Sequence, residues 1–427
     1  MSANQELSLR DHAWEIALSW LWFFLILLSY YCLKPLRDGL VSSLAGNLGN
    51  LYLATFLTSI VALSLYSRLV ATVPRSWLLI LVYQFFTVCL IAFGVVFASS
   101  ESPSATLVSV FFVWVSVFNL FIVTLFWSVM ADKFTGAQAK AWFGIIAAAG
   151  SVGSISGSAI AFQLSRWVGT QGLLISAIVA LELAIVVGLI LLKTRKPAHQ
   201  REASESQPTQ AGGTGGSIFA GFTHVVRSPY LIGICLFVAL GKFSATFVYN
   251  NLQWVLGQEM PDEVQRTTLF SEMNLYAQSG SLLTQALVAG WIMKRLGLAV
   301  AMLIPCLLMF ILFVWLSFDA ALTVLVIGQV GQQIAGYGLM VPAQHVLFTV
   351  LSREDKYKSK GFTDIVVFRG SDVAAGKACD AMIRSGTALS LLATLMLPLV
   401  AVWGFIAIRT GRTYRVLALE RKLTSED

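Results

Sequence analysis

Eleven ionisable side chains fall within stretches of this sequence that are otherwise apolar: Lys34, Arg37 and Asp38, then Glu182, Lys242 and Glu272, then Asp364, Arg369, Asp372, Lys377 and Asp380. A charge set in hydrocarbon costs roughly 3 kcal/mol even on lenient insertion scales, so each of these needs a partner or a task. The densest group is the last. At about 100° per residue, Arg369, Asp372, Lys377 and Asp380 share an arc of roughly 140°, one face of a helix, and so charged a face must line a polar cavity. Two readings stay open for it. Either Arg369–Asp372 and Lys377–Asp380, each three residues apart, satisfy one another as ion pairs, or the cations await an anionic solute while the carboxylates titrate or gate. The first group lies in YYCLKPLRDGL. Pro35 is disfavoured inside a helix and predicts a kink or a break there. Two cations and a carboxylate beside a broken helix suit an anion site; the alternative is that Lys34 and Arg37 snorkel to the outer headgroups. The candidate solute-binding residues are thus Lys34, Arg37, Lys242, Arg369 and Lys377. The candidates for coupling or gating are Asp38, Glu272, Asp372 and Asp380.

The elements that carry these groups are set by hydropathy. Mean hydropathy is +0.76 and hydrophobic residues make up 57% of the chain against 12% charged, far too apolar for a water-soluble domain. In lipid every backbone amide needs an internal partner, which leaves helices or a closed barrel. The apolar runs are about 20 residues long and do not alternate, so they are helices. They fall near residues 13–33, 50–72, 76–98, 105–131, 141–165, 170–192, 229–256, 267–293, 297–317, 320–350, 361–383 and 387–408. The chain is read as an all-α, polytopic membrane protein of about twelve spans. A six-span half (1–192) and a second six-span half with a basic tail (229–427) are joined by a polar, flexible linker (193–228) containing KTRKPAHQREASESQPTQAGGTGGS. A faint repeat relates the halves: Lys140, Ile145, Gly150 and Ser151 recur 220 residues later as Lys360, Ile365, Gly370 and Ser371. Such a layout is that of parallel-repeat transporters, which bind solute near the midplane. Gly153 and Gly157, with Ser154 and Ser158, form a smooth stripe for close helix packing.

Charge and composition exclude several functions. The net charge of +7 invites a nucleic-acid reading, but the cations cluster in loops on one side (Arg10, Arg68, Arg75, Lys133, Lys140, Lys294, Arg295, the SREDKYKSK loop and the tail). That is the positive-inside pattern, which places both termini and the linker in the cytoplasm and suits a bacterial inner membrane. The five cysteines are scattered through apolar segments and read as small buried hydrophobes, with no metal site or disulfide framework. No signal peptide is read, the GGTGG run lacks a phosphate-loop ending, and no nucleophile–base pair or cofactor motif appears, so an enzyme is not expected. The expected partners are a small anionic solute and the bilayer, with no nucleic acid, no cofactor and no metal, and the expected state is a monomer.

Three segments resemble the bacterial and plastid nucleotide translocases, the ATP/ADP antiporter family. YYCLKPLRDGLV is similar to their first-span signature, FNLFIVTLFWSVMADKFTGAQAKAWFG to their span 4–5 region, and KYKSKGFTDIVVFRGSD to their span 10–11 loop. The resemblance implies a fold related to the major facilitator superfamily. It also implies that Lys34, Arg37 and Arg369 face nucleotide phosphates while Asp38 and Asp372 order the site. After Arg369 this chain reads GSDVAAGK, with Asp372 where the family carries a basic residue. The eleven groups comprise five cations and six carboxylates, so a nucleotide requires that some carboxylates, Glu182 and Asp364 first, point elsewhere or be protonated. The expected function is secondary transport by alternating access, of a nucleotide or other phosphorylated anion by exchange. The alternatives are a proton-coupled carrier in which Asp372, Asp380 or Glu272 binds the proton, and a non-transporting sensor or scaffold on the same fold. The topology has a direct check: reporter fusions in the 193–228 linker and at the carboxyl terminus should both report an internal location, and an external signal from either would reverse the orientation.

Overall fold

The computed structural model describes residues 9–99, 102–194, 225–226, 228–351 and 359–423, and among them there are helices and turns but no strand. Most of the 193–228 linker and residues 352–358 of the SREDKYKSK loop lie outside the described residues. The first half contains α1 (Leu9–Val41), α2 (Leu48–Thr72), α3 (Arg75–Ser99), α4 (Ala105–Lys133), α5 (Gly136–Trp167) and α6 (Gly169–Lys193). The second contains α7 (Pro229–Glu259), α8 (Glu263–Leu283, continued by Thr284–Ala289 and Gly290–Arg295), α9 (Leu298–Phe318), α10 (Leu322–Ala335, continued by Gly336–Met340 and Val341–Leu347), α11 (Thr363–Val367 followed by Phe368–Arg384) and α12 (Leu389–Leu423).

Among the described residues ten helices are long and apolar enough to cross a membrane; α8 and α11 fall short. Their sequences give the reason. The start of α8 reads EVQRTTLFSEMNLYAQSGS, and α11 carries the five-charge cluster. The remaining helices turn large apolar side chains outward, among them Leu57, Val61 and Leu65 on α2 and Leu81, Phe85, Val88 and Val95 on α3. Only hydrocarbon accommodates so much exposed apolar surface, so this is an integral membrane protein.

Local chemistry sets the helix limits. Ser104 caps α4, its Oγ accepting from the Leu107 N–H at 3.2 Å. Thr135 and Gln138 close a reciprocal capping box on α5. Pro229 opens α7 directly after its cap, Ser228. Gly169 and Gly297 take φ of 66° and 89° at the α5–α6 and α8–α9 turns, a region that side chains with a Cβ rarely enter. Of the kink or break expected at Pro35, the break does not occur, for α1 runs on to Val41. Proline removes one ladder hydrogen bond, but Leu33, Leu36 and Leu40 around it are buried on neighbouring helices, and packing holds the last turns helical.

The chain gathers into two compact units: Met1–Ser43, Leu57–Gly212 and Asp262–Leu275 form one, and Leu44–Phe56, Gly213–Pro261 and Tyr276–Asp427 the other. The start of α8 thus belongs with the first unit and the start of α2 with the second. In the first unit α1 packs on α5, α6 and α4. The α1–α5 contact is backbone-close: a Cβ on Gly153 would lie 2.4 Å from the Phe24 carbonyl oxygen, and one on Gly157 would lie 2.6 Å from that of Leu28. In the second unit α7 packs on α11, α12 and α10, and α9 lies along α12. Gly370, the counterpart of Gly150 in the sequence repeat, has nothing within 4 Å of where a Cβ would stand, whereas Gly150 is covered by Phe23. This predicts opposite outcomes for two substitutions. Gly153→Leu should lower stability in detergent by about 1–3 kcal/mol through overpacking against α1, while Gly370→Ala should leave it within about 1 kcal/mol of the parent. Thermal unfolding of the two variants gives the comparison.

Candidate functional site

Two charged clusters form, one in each unit. In the first, Asp38 on α1 is fully buried and two cations share it. Lys34, one turn earlier, approaches Oδ2 at 3.1 Å. Arg37 donates to Oδ1 through Nε at 3.0 Å and Nη2 at 2.6 Å. The side chains of Lys34 and Arg37 are only 14% and 13% exposed, so neither snorkels free into water. Lys34 Nζ also donates to Asn274 Oδ1 at 2.6 Å, and the Arg37 guanidinium lies 4.9 Å from the centre of the Phe112 ring. Two monocations on one carboxylate leave an excess of one positive charge. The start of α8 that supplies Asn274 is pinned beside α1 by Arg266, whose Nε donates to the Gly39 carbonyl at 2.8 Å. There a Cβ on Gly39 would collide with Thr267 at 2.3 Å.

In the second unit the central pair is Lys242 of α7 with Asp372 of α11, 3.0 Å apart. Thr246, one turn beyond Lys242, donates its hydroxyl to the same Oδ1 at 2.5 Å. The Lys242 ammonium also lies 4.6 Å from the centre of the Phe368 ring. Arg369 is half-buried and makes no ion pair or side-chain hydrogen bond among the described residues. The proposed pair of Arg369 with Asp372 is therefore not formed. Spacing three apart puts them on one face of α11, but Lys242 and Thr246 enter from α7 and take the carboxylate.

Lys377 and Asp380 do not pair either. The Lys377 ammonium donates to the Asn50 carboxamide of α2. The carboxylate of Asp380 accepts from the Gly49 N–H at 2.8 Å, capping the first turn of α2, where the helix presents unsatisfied amides and positive potential. Glycines allow the approach: a Cβ on Gly376 would lie 2.8 Å from the Gly49 Cα. Tyr52 adds a hydroxyl bond to Asn250 Oδ1 at 2.8 Å.

Two of the remaining carboxylates, Glu182 and Asp364, are engaged elsewhere. Glu182 on α6 accepts from Gln84 Nε2 of α3 with both oxygens, at 3.1 and 2.9 Å. Asp364 is exposed and meets Gln344 at 3.5 Å. Glu272 is half-buried on α8, about 200° around the helix from Asn274. Sequence reasoning missed Asn274, Thr246, Phe112 and Phe368. Only two left a signal: Asn274 sits in the polar opening of α8, and Thr246 follows Lys242 by one helical turn. Among the described residues no group of three His, Cys, Asp or Glu side chains could hold a metal ion, and the five cysteines are unbridged.

The model of the Major Facilitator Superfamily matches residues 19–371 of this sequence, and the chain belongs to that family. Several transporters are among the solved structures of similar architecture. One is a bacterial homologue of the iron transporter ferroportin in an inward-facing state, 11% identical over 93% of this chain and 98% of that one, with a TM-score of 0.64. The nucleoside transporter NupG is 12% identical over 93% and 98%, at 0.59. A bacterial homologue of the human lysosomal transporter Spinster is 16% identical over 96% and 95%, at 0.54. No curated protein matches the sequence. At these identities the likeness establishes a transporter fold.

The Lys242–Asp372 pair yields a stability prediction. Asp372→Asn leaves a largely enclosed ammonium without its counter-charge and should cost on the order of 2 kcal/mol, less than for a fully buried pair because Lys242 is partly exposed. The double variant Lys242→Met with Asp372→Asn should recover most of that loss in thermal unfolding. A double variant no better than the single would mean that the two groups are not coupled.

Proposed function

We propose that this protein is a secondary transporter for an anionic organic solute, with phosphorylated nucleotides as the leading class, working by exchange through alternating access. The observation that carries the reading is the charge left over in each cluster. Lys34 and Arg37 share one carboxylate, Asp38, while Lys242 takes Asp372 and leaves Arg369, on the same helix as Asp372, without an acid among the described residues. Three of the six intramembrane carboxylates are engaged away from these groups: Glu182 with Gln84, Asp364 beside Gln344 and Asp380 on the first turn of α2. Setting those three aside leaves five cations against Asp38, Asp372 and Glu272, an excess of positive charge, the sign that an anion needs. Arg369 suits the role best, for its planar fork of donors fits a phosphate or carboxylate and no acid among the described residues occupies it. The resemblance to nucleotide translocases at YYCLKPLRDGLV and KYKSKGFTDIVVFRGSD supports the phosphorylated class.

Uptake of radiolabelled ATP into reconstituted vesicles, with and without nucleotide preloaded inside, tests the reading. Preloading should accelerate uptake. Uptake that followed a proton gradient and ignored internal nucleotide would favour a proton-coupled carrier instead. Arg369→Ala should lower uptake about 100-fold through loss of a charge-assisted fork, with thermal unfolding little changed because no protein group depends on that side chain. Arg369→Lys should restore only part of the activity. Normal transport by Arg369→Ala would remove this residue from the site.

A further inference from the structure

A crevice of about 870 Å³ lies in the second unit where α8 ends, α9 begins and α12 leaves its apolar stretch. It falls in the range of small-ligand sites, about 300–1,000 Å³, and none of the residues assigned to transport lines it. Its walls divide into two zones. Leu298, Leu303, Val346 and Ile408 form an aliphatic part, while Lys294, Arg412, Arg415 and Tyr414 supply three cations and a phenol. Gly411 sits against Ala299 in its wall, where a Cβ would lie 2.6 Å from the Ala299 Cα.

Depth in the membrane follows from the helices. From Leu389 to Ile408 α12 is apolar, and at about 1.5 Å per residue this stretch covers about 30 Å, the thickness of the hydrocarbon core. Arg412 and Arg415 therefore emerge at the headgroup layer. The end of α8 gives the same level independently, since exposed Trp291 is followed by Lys294 and Arg295, the aromatic-then-basic order of a membrane edge. The side chains of Lys294, Arg412 and Arg415 make no ion pair or hydrogen bond among the described residues, and the next acid along α12, Glu420, does not line the crevice. Three uncompensated cations over an aliphatic wall, at headgroup depth, match one ligand chemistry: a phosphodiester with acyl chains attached.

We propose that this crevice binds the headgroup of an anionic membrane phospholipid, with Lys294, Arg412 and Arg415 on the phosphate and the aliphatic wall along the upper acyl chains. Near a membrane surface each cation contributes about five-fold in affinity for anionic lipid. The test is native mass spectrometry of the full chain released from nanodiscs of equal parts phosphatidylglycerol and phosphatidylcholine. The parent protein should retain phosphatidylglycerol over phosphatidylcholine by about ten-fold or more. Arg412→Gln with Arg415→Gln should lower that preference by at least about ten-fold, whereas Arg412→Lys with Arg415→Lys should keep most of it. Arg409→Gln, a change to an exposed cation of α12 outside the crevice, should leave it unaltered. The proposal is overturned if the double Gln variant retains phosphatidylglycerol as the parent does, or if Arg409→Gln loses it equally. Displacement of the lipid by inorganic phosphate at millimolar concentration would assign the crevice to a soluble anion and overturn it as well.

Discussion

Asp38 is the residue on which the first unit turns. A carboxylate with no exposed surface in a helix that crosses lipid is tolerated only when opposite charge meets it at hydrogen-bond distance, and Lys34 and Arg37 do so from the same helix. That arrangement demands that α1 be held in place on every side. The demand is met by a smooth surface on α5: Gly150, Gly153 and Gly157 lie directly against Phe23, Phe24 and Leu28. Small side chains let dispersion act between backbones where no hydrophobic force exists to drive helices together. Close packing of α1 on α5 thus holds in place the helix that carries the expensive charge.

Each unit also holds the opening turn of a helix that continues into the other, and both contacts use glycine and backbone polar groups. In the first, Arg266 of α8 donates to the carbonyl of Gly39. In the second, Asp380 of α11 accepts from the N–H of Gly49 in α2. A carboxylate at a helix N-terminus and a guanidinium on a carbonyl each satisfy a backbone group that lipid would leave unpaired. Neither contact consumes an opposite charge, which is why the ionic balance of the two clusters is left to the clusters themselves.

Much of this architecture was legible from the letters. Twelve apolar or polar-striped segments and their order follow from hydropathy, because the bilayer fixes length and the backbone must satisfy itself. The candidate cations were legible too, since charge in an apolar run is rare. Pairing was not. The Arg369–Asp372 spacing reports only neighbours on one helix, while the partner actually taken, Lys242, comes from a helix 130 residues earlier. Pro35 does not break α1 for a related reason: propensity measures a helix alone, and here buried Leu33, Leu36 and Leu40 outweigh it. Glu182 is instructive in the opposite sense. It is a candidate to point away from the site, but the letters do not show that Gln84, on a helix about 100 residues away in sequence, holds both its oxygens.

Within the second unit, α8, α10 and α11 each contain a stretch with the wider i→i+5 hydrogen-bond pattern, at Thr284–Ala289, Gly336–Met340 and Thr363–Val367. The stretch in α11 falls inside the faint internal repeat, between Lys360 and Gly370, whereas the corresponding part of α5 is regular α-helix. One extra residue in a turn rotates everything beyond it by about 100°. Letters that align at a constant offset of 220 therefore do not align as surfaces: Gly150 is pressed against Phe23 while Gly370 stands open. A single wide turn is enough to separate a packing face in one half from an open one in the other, with no change in the letters to record it.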